Sequence, residues 1–145
     1  MGAAFFFFAP FFAGAAAAFS ADLVCLDGQC CDPLYRKSIR VSVGAALTVP
    51  YVRGGDIGEM IDVLDKSGFE ILALSPGGKI SILDIEPKGR TALLVGTEGE
   101  GLPKSVLEGT GSVRIPQSSG FDSLNVATAA AIAMFCLSRR GDRVG

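Results

Sequence analysis

The chain has 145 residues, 13 basic and 15 acidic, for a formal charge of -2. That length holds one domain, and a composition 49% hydrophobic and 19% charged supplies a core and excludes global disorder. The charge balance excludes nucleic-acid binding driven by bulk charge while leaving room for a local basic patch, and the absence of histidine excludes Ser-His-Asp and Cys-His catalysis and every imidazole metal site.

Charge is unevenly distributed. Residues 1–19 contain only Met, Gly, Pro, Ala and Phe, and no charged residue precedes Asp22. The sequence therefore divides into an apolar Phe/Ala-rich leader, residues 1–21, and an ordinary domain, residues 22–145. Several readings of the leader stay open. It is long enough for a membrane span, but Pro10 falls mid-span and no Lys or Arg flanks it. Residues 18–20 resemble a cleavage site, yet the positive n-region of a targeting signal is missing. Alternatively, residues 3–8 form a buried strand and residues 13–19 a buried helix of the domain, since Phe is strand-prone and Ala helix-prone. A corrupted sequence is the remaining alternative.

From residue 22 onward, short apolar runs alternate with helical segments, which predicts an α/β fold. Residues 23–26 read as a strand closed by Asp27-Gly28, and residues 46–49 as a weaker strand ending at Pro50. Asp56 is the N-cap of a helix whose apolar positions Ile57, Met60, Ile61 and Leu64 share one face, and Gly68 stops it. Residues 69–74 make a strand, residues 75–78 a tight loop, and residues 91–95 a strand running into Gly96-Thr97-Glu98-Gly99-Glu100-Gly101. Residues 113–115 are a short strand ended by Pro116. Residues 123–140 read as a long Ala-rich helix with Asp122 or Ser123 as N-cap and Arg139 and Arg140 near its C-terminal end.

The glycine loop lacks the spacing of a dinucleotide fingerprint and the Lys-Ser/Thr of a P-loop. Glu98 and Glu100 would repel phosphate, so a neutral or cationic ligand fits better, at the strand end where α/β sheets bind small molecules. A plain glycine-rich turn is the bland alternative. Cys25, Cys30, Cys31 and Cys136 have no metal-ligand spacing and read as reduced thiols, with Cys25 and Cys136 in the core. Arg36, Lys37, Arg40 and Arg53 form the one basic run, which is either a solvated face or a phosphate-contacting surface. Ser123 and Asn125, at the start of an apolar helix, either cap it or orient a ligand oxygen.

Residues 94–102 (LVGTEGEGL) and Ile115-Pro116 with Ser123-Leu124-Asn125-Val126-Ala127, in this order, resemble the SpoU/TrmH family of RNA ribose 2'-O-methyltransferases within the SPOUT superfamily. Arg40-x-Ser42-x-Gly44-Ala45 with Pro50 adds a weaker match, and the resemblance covers roughly residues 17–140. It implies a mostly parallel sheet with helices on both faces, a C-terminal trefoil knot, and a homodimer formed through the last helix. It also implies S-adenosylmethionine as cofactor, tRNA or rRNA as substrate, a cytoplasmic location, and neither metal nor membrane. Carried over by position, Leu74, Gly96, Glu98, Gly101, Ile115 and Leu124 would contact the cofactor. Glu98, Ser123 and Asn125 would shape the catalytic site, and Arg36, Lys37 and Arg40 would contact RNA.

The chain departs from the family at its N-terminal motif. The family attributes deprotonation of the 2'-hydroxyl to an arginine there; Gly14 stands at that position, and Phe8 stands near the place of an asparagine. This departure puts catalysis by the chain in question and leaves its cofactor motifs intact. Two expectations follow: an RNA 2'-O-methyltransferase, and a non-catalytic RNA- or cofactor-binding module on the same scaffold.

Overall fold

The computed structural model describes residues 3–7, 13–30, 32, 34–97 and 99–141. Its centre is a seven-stranded sheet in the order β3-β2-β1-β6-β4-β7-β5, with every paired neighbour parallel. The strands are β1 (Ala3–Phe7), β2 (Leu23–Leu26), β3 (Tyr51–Arg53), β4 (Glu70–Leu74), β5 (Ile80–Ser81), β6 (Thr91–Val95) and β7 (Gly111–Arg114). The helices are α1 (Ala13–Ala18), α2 (Arg36–Val41), α3 (Ile57–Lys66), α4 (Lys104–Gly109) and α5 (Val126–Gly141).

Parallel strands need crossovers that cover the sheet, and successive side chains point to opposite faces. β6 illustrates both points, since all five of its residues are buried. Leu93 and Val95 join Val24, Leu26, Leu72 and Val113 beneath Ala16 of α1 and Ala130, Ala133, Met134 and Leu137 of α5. Ala92 and Leu94 join Cys25 and Ala73 on the other face, against Leu64 of α3 and Val106 of α4. The result is an α/β layer structure with helices on both faces.

The Phe/Ala-rich N-terminal segment contributes to this sheet. β1 lies between β2 and β6, with Phe6 opposite Cys25 on one side and Leu94 on the other. α1 follows it and buries Ala16. Phe8 and Pro10 lie outside the described residues. No helix among the described residues is long and apolar enough to cross a membrane.

The clearest helix of the sequence forms with the caps its residues dictate. Asp56 Oδ1 accepts the Gly58 N–H at 2.7 Å. At the other end, Gly68 at φ 76° donates to the Asp65 carbonyl and Phe69 to that of Leu64. These are the paired bonds of a Schellman stop, and Leu64 and Phe69 then pack in the same cluster.

Three elements differ from the sequence expectation, the first being the strand expected at residues 113–115, which is Gly111–Arg114 and leaves Ile115 beyond its end. Residues 46–49 are not a strand: Ala45–Leu47 form a 3-10 turn entered through Gly44 at φ 80°, with Ser42 Oγ accepting the Ala46 N–H. The chain joins the sheet only at Pro50, whose carbonyl accepts from Val24, so the strand is Tyr51–Arg53. The C-terminal helix begins at Val126 and not Ser123, because Asn125 supplies the cap. β3, β5, α2 and α4 are too short to leave a periodic signal.

Candidate functional site

Parallel α/β sheets gather their loops at the C-terminal ends of the strands, where ligands bind. Here the ends of β4, β6 and β7 open onto a cleft of about 200 Å³. Its walls are Leu74, Ser75 and Pro76 after β4, Val95 to Thr97 and Gly99 to Leu102 after β6, and Ile115 and Gln117 after β7. Leu107 of α4, Ser123, Leu124, and Val126 and Ala129 of α5 close it.

The loop after β6 turns back on itself. Thr97 and Gly101 form an antiparallel bridge, Gly101 donating to the Thr97 carbonyl at 3.1 Å. A Cβ on Gly96 would stand 2.2 Å from the Gly101 carbonyl carbon, so only glycine permits this closure. The rim that results exposes backbone amides and carbonyls to the cleft while Val95 and Leu102 remain buried beside it.

The loop after β4 is held differently. β7 lies between β4 and β5, so residues 75–79 arch across its C-terminal end. Ser75 donates to the Val113 carbonyl at 2.9 Å and Lys79 to that of Ser112 at 3.1 Å. Arg114 Nη1 donates to the Gly78 and Lys79 carbonyls, both at 2.9 Å. A guanidinium bound to two carbonyls of one arch fixes its height over the strand. Gly78 permits the close approach, since a Cβ there would lie 2.2 Å from the Val113 carbonyl carbon.

Leu74, Gly96, Gly101, Ile115 and Leu124 all line this single cleft, and Ser123 joins them. Glu98 lies outside the described residues. Asn125 does not line the cleft: its Oδ1 accepts the Ala127 N–H at 2.9 Å and the Thr128 N–H at 3.3 Å, capping α5 at the cleft wall. Arg36, Lys37 and Arg40 lie apart from the cleft, exposed on α2 in the connection from β2 to β3. Gly14 sits on α1 against Ser42.

Sequence reasoning passed over Arg114, Gln117 and Leu107. Gln117 directly follows Ile115-Pro116 and was legible as the polar residue of that motif. Arg114 and Leu107 carry no local signal, because their roles arise from the arch and from a six-residue helix.

The cleft's chemistry is specific. Leu74, Val95, Leu102, Ile115 and Leu124 make it apolar, Ser123 and Gln117 add hydroxyl and amide groups, and among the described residues Glu100 is the only charged one of the lining. With no basic residue among the described lining, the cleft suits a ligand that is neutral or cationic where it meets Glu100 better than a phosphate group. Among the described residues no group of three or more Cys, Asp or Glu could hold a metal ion. Cys25 and Cys136 are free thiols, and burial pushes the Cys25 thiol up to about 11.

Fold and cleft together define a doubly covered parallel α/β domain with an apolar cleft for a small ligand at its strand ends. The chain belongs to the SpoU rRNA Methylase family, whose pattern residues 12–135 match. It is 46% identical over 135 residues to a protein of Mycobacterium tuberculosis strain H37Rv named an uncharacterized tRNA/rRNA methyltransferase, covering 90% of this chain and 47% of that one. It is 33% identical over 103 residues to the 23S rRNA (guanosine-2'-O-)-methyltransferase RlmB of a Burkholderia species, covering 70% of this chain and 42% of that one. The chain thus spans about half the length of the curated relatives it matches.

Among solved structures, the AdoMet-bound rRNA methyltransferase of Sinorhizobium meliloti superposes with a TM-score of 0.83 at 27% identity, covering 96% of this chain and 55% of that one. A structure described as an RNA 2'-O ribose methyltransferase superposes with a TM-score of 0.82 at 26% identity, over 97% of this chain and 57% of that one.

Proposed function

We propose that this chain carries the S-adenosylmethionine-binding and methyl-transfer site of a cytoplasmic RNA 2'-O-ribose methyltransferase that acts on tRNA or rRNA. One observation carries the reading. The glycine loop and the Ile115–Ala127 motif, separate in sequence, line one apolar cleft in which Glu100 is the only charged lining residue among those described.

The residues fit the cofactor. Leu74, Ile115 and Leu124 offer apolar surface to an adenine ring, the rim of the 96–101 loop offers backbone donors and acceptors, and Glu100 faces positive charge. S-adenosylmethionine supplies a methyl carbon already activated on a sulfonium, so the protein's task is mainly positioning. Ser123, which lines the cleft, would orient the ribose hydroxyl, and Glu98 would take part in the same site by its place in the family motif. Asn125 acts as a positioning residue, since its carbonyl oxygen holds the first turn of α5 against the cleft.

Deprotonation of the 2'-hydroxyl is the step for which this chain lacks the family's arginine. Among the described residues a Cβ on Gly14 would meet only Ser42, its carbonyl oxygen at 3.6 Å, which is ordinary contact. The helix therefore has room for a Cβ there, from which a restored arginine would extend.

The finer architecture follows the same reading. The position of β7 between β4 and β5, with residues 75–79 crossing over it, supports a trefoil knot in the C-terminal segment. α5 would pair two copies, because Ile132 and Phe135 are exposed on it and such a patch is commonly an interface.

The test measures S-adenosylmethionine binding by calorimetry and methyl transfer to bulk tRNA and rRNA. It compares the chain as written with Gly14→Arg, alone and combined with Phe8→Asn. Binding by both proteins and stronger transfer by the restored ones is the expected result. Absence of cofactor binding refutes the reading. Binding without transfer in every variant would instead mark a non-catalytic binding module.

A further inference from the structure

A second depression lies along the same sheet edge as the cleft. It forms where β2 and β3 end, lined by Gly28, Asp32, Leu34, Tyr51, Arg53 and Gly54. Its walls are latched from below: Gly54 donates to the Leu26 carbonyl, Gly28 to that of Gly55, and Arg53 Nη2 to that of Cys30 at 2.6 Å. Tyr51 and Leu34 remain exposed at 39% and 47%, although burying both would favour folding. Asp32 Oδ1 accepts the Leu34 N–H at 2.9 Å, which fixes the carboxylate while its second oxygen can face the depression.

The surroundings are basic. Between Asp32 and Asp56 the sequence contains Arg36, Lys37, Arg40 and Arg53 and no acid, in a chain whose net charge is -2. Arg36, Lys37 and Arg40 are exposed. An aromatic face with an apolar neighbour, a fixed carboxylate and a basic border is the combination that holds an unpaired nucleobase and its phosphates.

Resting on the methyltransferase reading, we infer that this depression is a nucleobase subsite for an unpaired residue near the reacting ribose. Tyr51 stacks on the base, Asp32 accepts from an exocyclic amino group, and Arg36 and Arg40 contact the phosphates. The amino-bearing bases guanine, adenine and cytosine are then preferred over uracil at this position. Spacing agrees. From β3 and β2 to β6 there are three and two strand intervals, roughly 10–14 Å at ~4.8 Å each. Three or four stacked nucleotides rise by that amount at ~3.4 Å each.

The experiment measures binding of fluorescent single-stranded oligocytidine and oligouridine as a function of salt, together with S-adenosylmethionine binding. Tyr51→Ala is expected to weaken oligocytidine binding about tenfold with an unchanged salt slope. Tyr51→Phe should retain affinity, and Asp32→Asn should remove the preference for cytidine. Arg36→Ala and Arg40→Ala should each lower the salt slope by roughly 0.7. Photo-crosslinking of 5-iodocytidine RNA to the unaltered chain should map to Tyr51, a measurement that does not depend on any variant folding. RNA binding that Tyr51→Ala leaves unchanged, or a crosslink that maps elsewhere, overturns the subsite alone. A chain that binds S-adenosylmethionine but no RNA overturns both the subsite and the RNA reading beneath it.

Discussion

Replacing Gly78 by alanine isolates the contact that brings the 75–79 arch down onto β7. Gly78 does not have a positive φ, so the substitution carries no conformational penalty and acts by sterics alone. Its new Cβ would lie 2.2 Å from the Val113 carbonyl carbon, 2.4 Å from the Val113 oxygen and 2.6 Å from the Arg114 nitrogen. All three are backbone atoms, so relief requires the arch to rise by about an ångström. Such overpacking costs about 1–3 kcal/mol. Stretching the Ser75 and Lys79 hydrogen bonds to β7 adds about 1 kcal/mol each. A total of about 3–5 kcal/mol corresponds to a fall in Tm of roughly 6–20 °C for a chain of this size. Gly77→Ala is the internal control: a Cβ there meets nothing within 4 Å, and its effect should stay within about 0.5 kcal/mol. Urea denaturation and thermal scans measure both variants. S-adenosylmethionine affinity should fall for Gly78→Ala, because Ser75 and Pro76 line the cleft. Equal stability of the two variants would refute the close-approach argument.

Asp56→Ala removes the cap that accepts from Gly58 and should lower stability by about 1 kcal/mol in urea denaturation. Asn125→Ala should cost about the same and also weaken S-adenosylmethionine binding measured by calorimetry. Asn125→Asp, which keeps an acceptor oxygen, should restore most of both. Cys25 should resist Ellman's reagent at pH 8 in the folded protein and react on unfolding, because its thiol is held at about 11 against an ordinary 9.0. The unfolded chain loses that proton first, so Cys25 contributes stability that is present below about pH 9 and is lost as pH rises toward about 11. Urea midpoints of Cys25→Ala should accordingly fall less between pH 8 and pH 10 than those of the unaltered chain.

Local chemistry made some of this molecule legible in its sequence. α3 was readable from the Asp56 cap, one apolar face and the Gly68 stop, since each acts within a few residues. β2, β4, β6 and half of β7 were readable as short apolar runs bounded by Gly, Pro or Asp, and the two motifs around Gly96–Gly101 and Ile115–Ala127 by residue identity and order. The boundaries of α5 were less legible: Asp122, Ser123 and Asn125 are all competent caps, and the backbone route from β7 selected Asn125.

Tertiary structure decided the rest, wherever the deciding partner is distant in sequence. The Phe/Ala run has no helical or strand period, so only its pairing with β2 and β6 places Ala3–Phe7 inside the sheet. Residues 46–49 have strand-like composition, but Ser42 and Gly44 turn them into a 3-10 segment and pairing with β2 begins at Pro50. Arg114 has no local signature. Its hold on the Gly78 and Lys79 carbonyls exists because β7 inserts between two strands that precede it in the chain. The charge asymmetry was visible from composition alone, yet only the sheet order sets the basic, Tyr51-bearing end of the sheet two to three strand intervals from β6.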